Sequence, residues 1–121
     1  MPQTDIVIFQ DEDGNAPFLE WFNELPTKAQ SKCRVRLERL AQLGHELRRP
    51  EADYLRAEIY ELRIGLRGVN YRILYFFHGN VAAVLSHGIV KERAVPPKEI
   101  DLAIKRKQQF IADPGRHSRE E

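Results

Sequence analysis

The spacing of apolar and polar residues predicts seven elements of secondary structure in the order βααβββα. Alternating or β-branched apolar runs predict strands at residues 5–9, 58–64, 71–77 and 81–90. Apolar residues at helical spacing predict three helices, which span residues 16–25, 28–43 and about 97–111. Strands that follow one another through short turns, with helices before and after them, are typical of an α+β domain.

The breaks between these elements predict how they pack. Pro26 separates the first two helices, which we expect to form a helical hairpin, and Gly44 ends the second helix. The short turn at residues 78–80 predicts a tight antiparallel strand pair. The predicted fold class is therefore α+β. A curved, mainly antiparallel sheet packs against the helical hairpin and a C-terminal helix, and the helices bury one side of the sheet.

Two segments lie outside these elements. Residues 45–56 combine Pro50 with a mixture of charges, so we expect a loop that crosses back to the sheet. Residues 112–121 are polar and contain helix breakers, so we expect a loosely ordered tail. Residues 1–111 are then expected to form a single domain.

Composition narrows the class of protein. The chain has 121 residues, of which 42% are hydrophobic and 31% charged, and this balance is typical of a globular domain rather than a disordered chain. Its apolar runs are far shorter than the ~20 residues that a membrane-spanning helix requires. The first residues do not resemble a secretory signal, and the single cysteine, Cys33, excludes an internal disulfide. We therefore expect a cytoplasmic protein with no membrane partner.

Positive charge is concentrated in the second half of the chain. Residues 59–111 contain 9 Lys or Arg and 4 acids, whereas residues 1–58 contain 8 Lys or Arg and 11 acids. A local excess of cations favours phosphate binding, because affinity for phosphate depends on where the cations lie. A basic surface that faces only solvent gives the same counts, so phosphate binding and a solvated surface both stay open as interpretations.

Two arginines lie on predicted strands that are otherwise mostly apolar. Alternation places Arg72 on the sheet face opposite Tyr71, and Arg63 on the same face as Glu61. Antiparallel pairing of the two strands brings Arg63 and Arg72 together over an open surface, where their guanidinium groups can grip a phosphate. The alternative is that Arg63 pairs with Glu61 or a loop acid and only seals the sheet.

His87 and Tyr71 are further candidates. An imidazole titrates near neutrality and can transfer a proton, although a histidine on an apolar strand is often a hydrogen-bonded packing residue. Tyr71 adjoins a turn, where an exposed ring could stack a base. The alternative interpretation is that Tyr71 is a core residue. Metal-ligand spacing, a glycine-rich phosphate loop and a GxSxG motif are all missing from the sequence, so we expect no metal and no cofactor.

The order of several short segments resembles the phage-derived, HigB-like branch of the RelE/ParE superfamily of bacterial toxins. No single tripeptide is specific, but the order and spacing are shared over nearly the whole chain. The segments that match are residues 18–25, 59–63 with ELR, 71–77 with YRILYFF, 85–88 with LSHG, Lys91, and 97–106 beginning PKEI.

The resemblance implies a toxin of a type II toxin–antitoxin module that cleaves mRNA in the ribosomal A site. The RNA's own 2′-hydroxyl attacks without a metal and leaves a cyclic phosphate. By position in the family pattern, catalysis falls to Arg63, Arg72, Arg93 and, as proton carrier, His87. The RNA-binding residues expected beside them are Lys91, Tyr71, Arg67 and Lys98.

The resemblance also implies partners and leaves alternatives. The partners are mRNA and the ribosome, together with a HigA-like helix-turn-helix antitoxin. Glu61 and Glu92 stand where relatives carry lysine, and a C-terminal tyrosine of RelE has no counterpart near Pro96. A ParE-like inhibitor of DNA gyrase and a catalytically inactive phage-derived binding protein therefore stay open as alternatives.

Overall fold

A six-stranded sheet that does not close forms the middle layer of the protein. The structure is a computed structural model that describes residues 3–90 and 94–119. Its strands are β1 (Asp5–Phe9), β2 (Ala52–Arg56), β3 (Ile59–Leu66), β4 (Val69–His78), β5 (Ala82–Val90) and β6 (Ser118–Arg119). Its helices are α1 (Pro17–Asn23), α2 (Thr27–Leu43) and α3 (Pro97–Ala112), with a short 3-10 helix at Gly44–Glu46. None of these helices is long and apolar enough to cross a membrane.

The strand order across the sheet is β2-β3-β4-β5-β1-β6. β1 pairs with β5 in parallel, and the other neighbouring strands run antiparallel. The prediction of an α+β fold with a mainly antiparallel sheet is thus confirmed.

Helices cover both faces of the sheet. The face that carries Leu62, Ile73 and Tyr75 packs against α1 and α2. The opposite face carries Leu74 and Phe76 and packs against α3. The expectation that helices bury only one side of the sheet is wrong. β4 and β5 carry apolar residues on both of their faces, so both faces are buried by helices.

Two strands are absent from the prediction. β2 lies in the segment at residues 45–56 that was predicted to be a loop. That prediction is wrong for its last five residues, which form an edge strand despite Pro50 and the mixed charges. β6 lies in the segment predicted to be a loosely ordered tail, and it pairs with β1. Just before it, His117 is buried, stacks on Phe9 with ring centroids 5.2 Å apart, and contacts the Gln10 carbonyl oxygen at 2.7 Å.

Candidate functional site

Arg63 and Arg72 are direct cross-strand partners on the sheet face that carries α3. In the antiparallel register of β3 and β4, Arg63 lies opposite Arg72. Both arginines donate to one carboxylate oxygen of Glu61: Arg63 Nε at 2.8 Å and Arg72 Nη1 at 2.6 Å. Only 3% of the Glu61 side chain is exposed, so a buried carboxylate holds the two guanidinium groups together. The predicted meeting of the two arginines is found, and so is the predicted pairing of Arg63 with Glu61.

A second carboxylate, Asp53, completes this arginine cluster. Arg63 Nη2 donates to Asp53 Oδ2 at 3.1 Å, and Arg49 Nη2 lies 2.9 Å from the same oxygen. The hydrogen bond from Arg49 lowers the pKa of Asp53, and the nearby charges of Arg49 and Arg63 act in the same direction. Asp53 therefore stays ionised at neutral pH and anchors Arg63 from the edge strand β2.

A cleft of about 490 Å³ opens over the arginine cluster. Arg63 has 36% of its side chain exposed, whereas Arg72 has 13%. The Nε atom of Arg72 is buried and has no hydrogen-bond partner within residues 3–90 and 94–119. The cleft is lined by the cluster, by β2 and by residues before and within α3: Asp53, Tyr54, Leu55, Arg56, Glu61, Arg63, Arg72, Ala94, Val95 and Ile100. Of the two cross-strand arginines, Arg63 is therefore the more accessible to an anionic group in the cleft.

His87 is a buried, hydrogen-bonded residue on the same sheet face. Its Nδ1 lies 2.8 Å from Ser86 Oγ, and its Nε2 lies 3.1 Å from Glu99 Oε1 at the start of α3. A register shift in the β4–β5 pairing leaves Ser86 unpaired and places His87 opposite Leu74. Leu74 is two residues beyond Arg72, about 7 Å along the strand.

Burial and charge set the protonation of His87. Burial lowers its pKa, the nearby charge of Arg106 lowers it further, and Glu99 opposes both effects. The imidazole is therefore neutral at physiological pH and can accept a proton. The packing role that the sequence left open is seen in the structure, whereas the role as proton carrier stays a prediction.

Tyr71 does not lie with the arginines. Its ring is on the sheet face opposite them, only 7% of the residue is exposed, and Trp21 of α1 contacts it edge-on at 6.4 Å. The expectation of an exposed ring is wrong, because α1 covers this end of β4. A base cannot stack on Tyr71 in this conformation.

The remaining predicted RNA-binding residues are scattered. Arg67 lies exposed in the β3–β4 turn with φ 52°, and it lines a groove with Lys28 and Tyr71 on the α2 side of the sheet. Lys98 is exposed in the first turn of α3. Lys91 and Arg93 lie outside the described residues, so their placement stays a prediction.

The sequence predicted the contact of Arg63 with Glu61, but it did not identify Asp53 or Glu99 as acids of the site. Glu61 and Arg63 stand two apart on one strand, and that spacing is the only local signal of their contact. Asp53 and Glu99 reach the site from elements whose position no local pattern predicts.

Two further observations concern metal-ligating and thiol side chains. Within the part of the chain that the structure describes, no three His, Cys, Asp or Glu residues are grouped so as to hold a metal ion. Cys33 lies on the buried face of α2, and burial raises the pKa of its thiol to about 11, so it is not a reactive thiolate at neutral pH.

A protein-family model matches most of the chain. The family model described as "Phage derived protein Gp49-like (DUF891)" matches residues 20–108, which is most of the chain. No curated protein matches the chain. The matched span includes α2, the arginine cluster, His87 and most of α3.

Proposed function

The chain belongs to the Gp49-like family of phage-derived proteins, a family associated with RelE-like toxins, and from this we propose that it is a type II toxin that cleaves mRNA in the ribosomal A site. Its partner would be a HigA-like helix-turn-helix antitoxin encoded next to it. Its substrate is the mRNA of translating ribosomes, which places its action in the cytoplasm.

The observation that carries this proposal is the register that sets Arg63 opposite Arg72 at an open cleft. Guanidinium groups bind phosphate oxygens through paired N–H donors and keep their charge at any physiological pH. Two such groups beside a scissile phosphate stabilise the negative charge that builds on its oxygens in the transition state. Among the residues that the structure describes, Arg63 contacts acids through Nε and Nη2 and not through Nη1, and its side chain is more exposed than that of Arg72.

Proton transfer would fall to His87. In this mechanism the RNA supplies its own nucleophile, so the protein needs to position the phosphate and accept the proton of the 2′-hydroxyl. A neutral imidazole is the form that accepts a proton, and the lowered pKa of His87 keeps it in that form. Only 8% of its side chain is exposed, so RNA entry must displace the Glu99 contact at the start of α3.

A phage-derived binding protein without nuclease activity is the second candidate. The observation that favours it is Glu61, whose buried carboxylate already neutralises charge at both arginines. In that case the arginine cluster is a structural unit of the sheet and not a phosphate site. Activity measurements on Arg63 separate the two functions.

The test is primer extension on a reporter mRNA after brief induction of the protein in cells. Arg63→Ala should abolish new cuts in translated regions. Arg36→Ala is the matched control, because Arg36 also pairs with an acid, Glu51, and has 29% of its side chain exposed. Cuts by wild type and Arg36→Ala but not by Arg63→Ala support the proposal.

Two results contradict it. Intact mRNA after induction of wild-type protein favours the binding protein if growth is normal, or a different target if growth stops. Cuts that persist with a folded Arg63→Ala protein remove the arginine cluster from the mechanism.

A further inference from the structure

A second pocket adjoins the arginine cleft at the edge strand β2. It has a volume of about 290 Å³, and its lining includes Arg48, Arg49 and the two tyrosines Tyr54 and Tyr60. Asp53 and Tyr54 line both this pocket and the arginine cleft. The two depressions are therefore neighbours on either side of β2, and we call the second one the edge pocket.

Tyr54 is an exposed aromatic residue whose ring is held in place. It is 48% exposed on an edge strand, a position where proteins more often carry charged side chains. The backbone N–H of Glu58 donates to its hydroxyl oxygen at 3.2 Å. The ring of Tyr60 meets it edge-on at 5.3 Å and itself stacks on Tyr75 at 5.5 Å. Tyr54 thus presents a preorganised aromatic surface to solvent.

The charge around this ring suits a nucleic acid strand. Five arginines and two acids line the two pockets: Arg48, Arg49, Arg56, Arg63, Arg72, Asp53 and Glu61. Arg49 has 75% of its side chain exposed although it pairs with Asp53, so its guanidinium group remains accessible to a phosphate. Exposed aromatic rings next to arginines are the usual means of binding single-stranded RNA.

We propose that the edge pocket is a nucleotide subsite, in which Tyr54 stacks a base of the mRNA next to the scissile phosphate and Arg48 and Arg49 bind the adjoining phosphate. The inference rests on the proposed nuclease function, because the arginine cleft fixes where the scissile phosphate lies. In the β2–β3 register Tyr54 lies opposite Tyr60, and its ring is on the sheet face that carries Tyr75, away from Arg63. The two pockets are linked by Asp53, which contacts Arg63 on one side and Arg49 on the other. The RNA strand crosses the sheet edge at β2 and reads no base identity there, since stacking tolerates every base.

The experiment measures cleavage by the purified protein of a short mRNA on ribosomes stalled with an empty A site. Single-turnover rates over a range of protein concentrations separate the concentration for half-maximal rate from the maximal rate. Tyr54→Ala should raise the protein concentration for half-maximal rate about tenfold, as expected for the loss of one stacked base, and leave the maximal rate unchanged. Tyr54→Phe and Tyr54→Trp keep an aromatic ring and should stay close to wild type.

Two controls make the result specific. Val81→Ala removes an apolar side chain that is 64% exposed, more than Tyr54, and lines neither pocket, so it should have no effect. An mRNA with 5-iodouridine beside the cut site should crosslink to Tyr54 on irradiation, and peptide mapping identifies the attached residue. A half-exposed residue is not needed for the core, and an unchanged unfolding midpoint of Tyr54→Ala confirms that it folds.

The outcomes distinguish this inference from the proposed function. If wild type cuts, Arg63→Ala does not, and Tyr54→Ala matches wild type without a crosslink at Tyr54, the nucleotide subsite is wrong and the nuclease stands. An exposed ring that contacts a protein partner would give that result. If Tyr54→Phe raises the concentration for half-maximal rate as much as Tyr54→Ala does, the ring does not act by stacking and the inference also fails. If wild-type protein makes no cut, both proposals fall together.

Discussion

At the scale of single residues, two similar carboxylates differ mainly in burial. Glu61 and Glu51 each contact two arginines, Glu61 with Arg63 and Arg72, Glu51 with Arg36 and Arg39. The exposed fraction of the side chain is 3% for Glu61 and 24% for Glu51. Water screens the contacts of Glu51, whereas the buried carboxylate of Glu61 is the acid that pairs with Arg72 among the described residues, so its removal leaves a buried charge without that partner.

We therefore predict that Glu61→Gln lowers the free energy of unfolding by about 3 kcal/mol. Glu51→Gln, the matched control, should cost about 1 kcal/mol or less. Urea unfolding of the two variants and the wild type measures both values. Equal losses in the two variants would show that Glu61 is not the buried anchor of the arginine cluster.

His87 gives the protein a dependence of stability on pH. Its pKa in the folded protein lies below the value of about 6.5 expected when the chain is unfolded. As pH falls below 6.5, the unfolded chain gains a proton that the folded protein does not, so the free energy of unfolding decreases. The pKa values of Glu51 and Asp53 are also lowered, but ordinary carboxylates titrate near pH 4, so their contribution is lost at lower pH.

Between pH 6.5 and pH 5.5 we predict a loss of about 1 kcal/mol in the free energy of unfolding, caused by His87. His87→Gln should remove this loss, whereas substitution of the exposed His78 by Gln should retain it. Urea unfolding at the two pH values provides the measurement. If the free energy of unfolding of His87→Gln decreases between these two pH values as much as that of wild type, another group is responsible for the titration.

At the scale of elements, α1 is positioned by a close approach to β5. The ring of Trp21 lies against Gly88, and a Cβ atom at residue 88 would overlap that ring. Gly65 in β3 is a matched case, because a Cβ there has no neighbour within 4 Å and neither glycine has a positive φ. The missing side chain of Gly88 thus lets the helical hairpin sit close to the sheet.

Gly88→Ala should lower the free energy of unfolding by about 2 kcal/mol, because the ring or the helix must move to relieve the overlap. Gly65→Ala should be neutral or slightly stabilising, since alanine costs less backbone entropy than glycine. Thermal or urea unfolding of the two variants tests this. If both variants unfold like wild type, α1 is not held at this contact.

The elements also show which signals local sequence carries. β1 was predicted with its observed ends, and Gly44 ends α2 as expected with φ 53°. β2 was missed because an edge strand lacks the apolar alternation of a central one, and Pro50 stands just before it. β6 was missed because its two residues form a strand only by pairing with β1, a contact that no local pattern predicts.

At the scale of the whole molecule, the site could be predicted in part. Alternation and antiparallel pairing were enough to bring Arg63 and Arg72 together, because a strand fixes the face of each side chain. The contact of Arg63 with Asp53 depends on the placement of β2, and the burial of Tyr71 depends on α1. These are tertiary contacts between distant elements, which spacing along the chain does not determine.

Placement in the whole molecule also explains why the arginines face a cleft. β3 and β4 lie toward one end of the sheet, and α3 packs on the apolar part of the same face through Ile100, Ala103 and Phe110. The charged part of that face remains open beside the start of α3. A sheet with helices on both sides therefore has one cleft that both cross-strand arginines line, and this is where we propose that the phosphate binds.

The most direct measurement uses stalled ribosomes and an mRNA with a single 2′-O-methyl group on the nucleotide before the mapped cut. If the RNA's own hydroxyl is the nucleophile, purified wild-type protein should cut the unmodified mRNA, leave a cyclic phosphate at the new end, and fail to cut the methylated one. Arg63→Ala should cut neither, and Arg36→Ala should behave as wild type. Equal cutting of the methylated and unmodified mRNA would contradict the proposed mechanism.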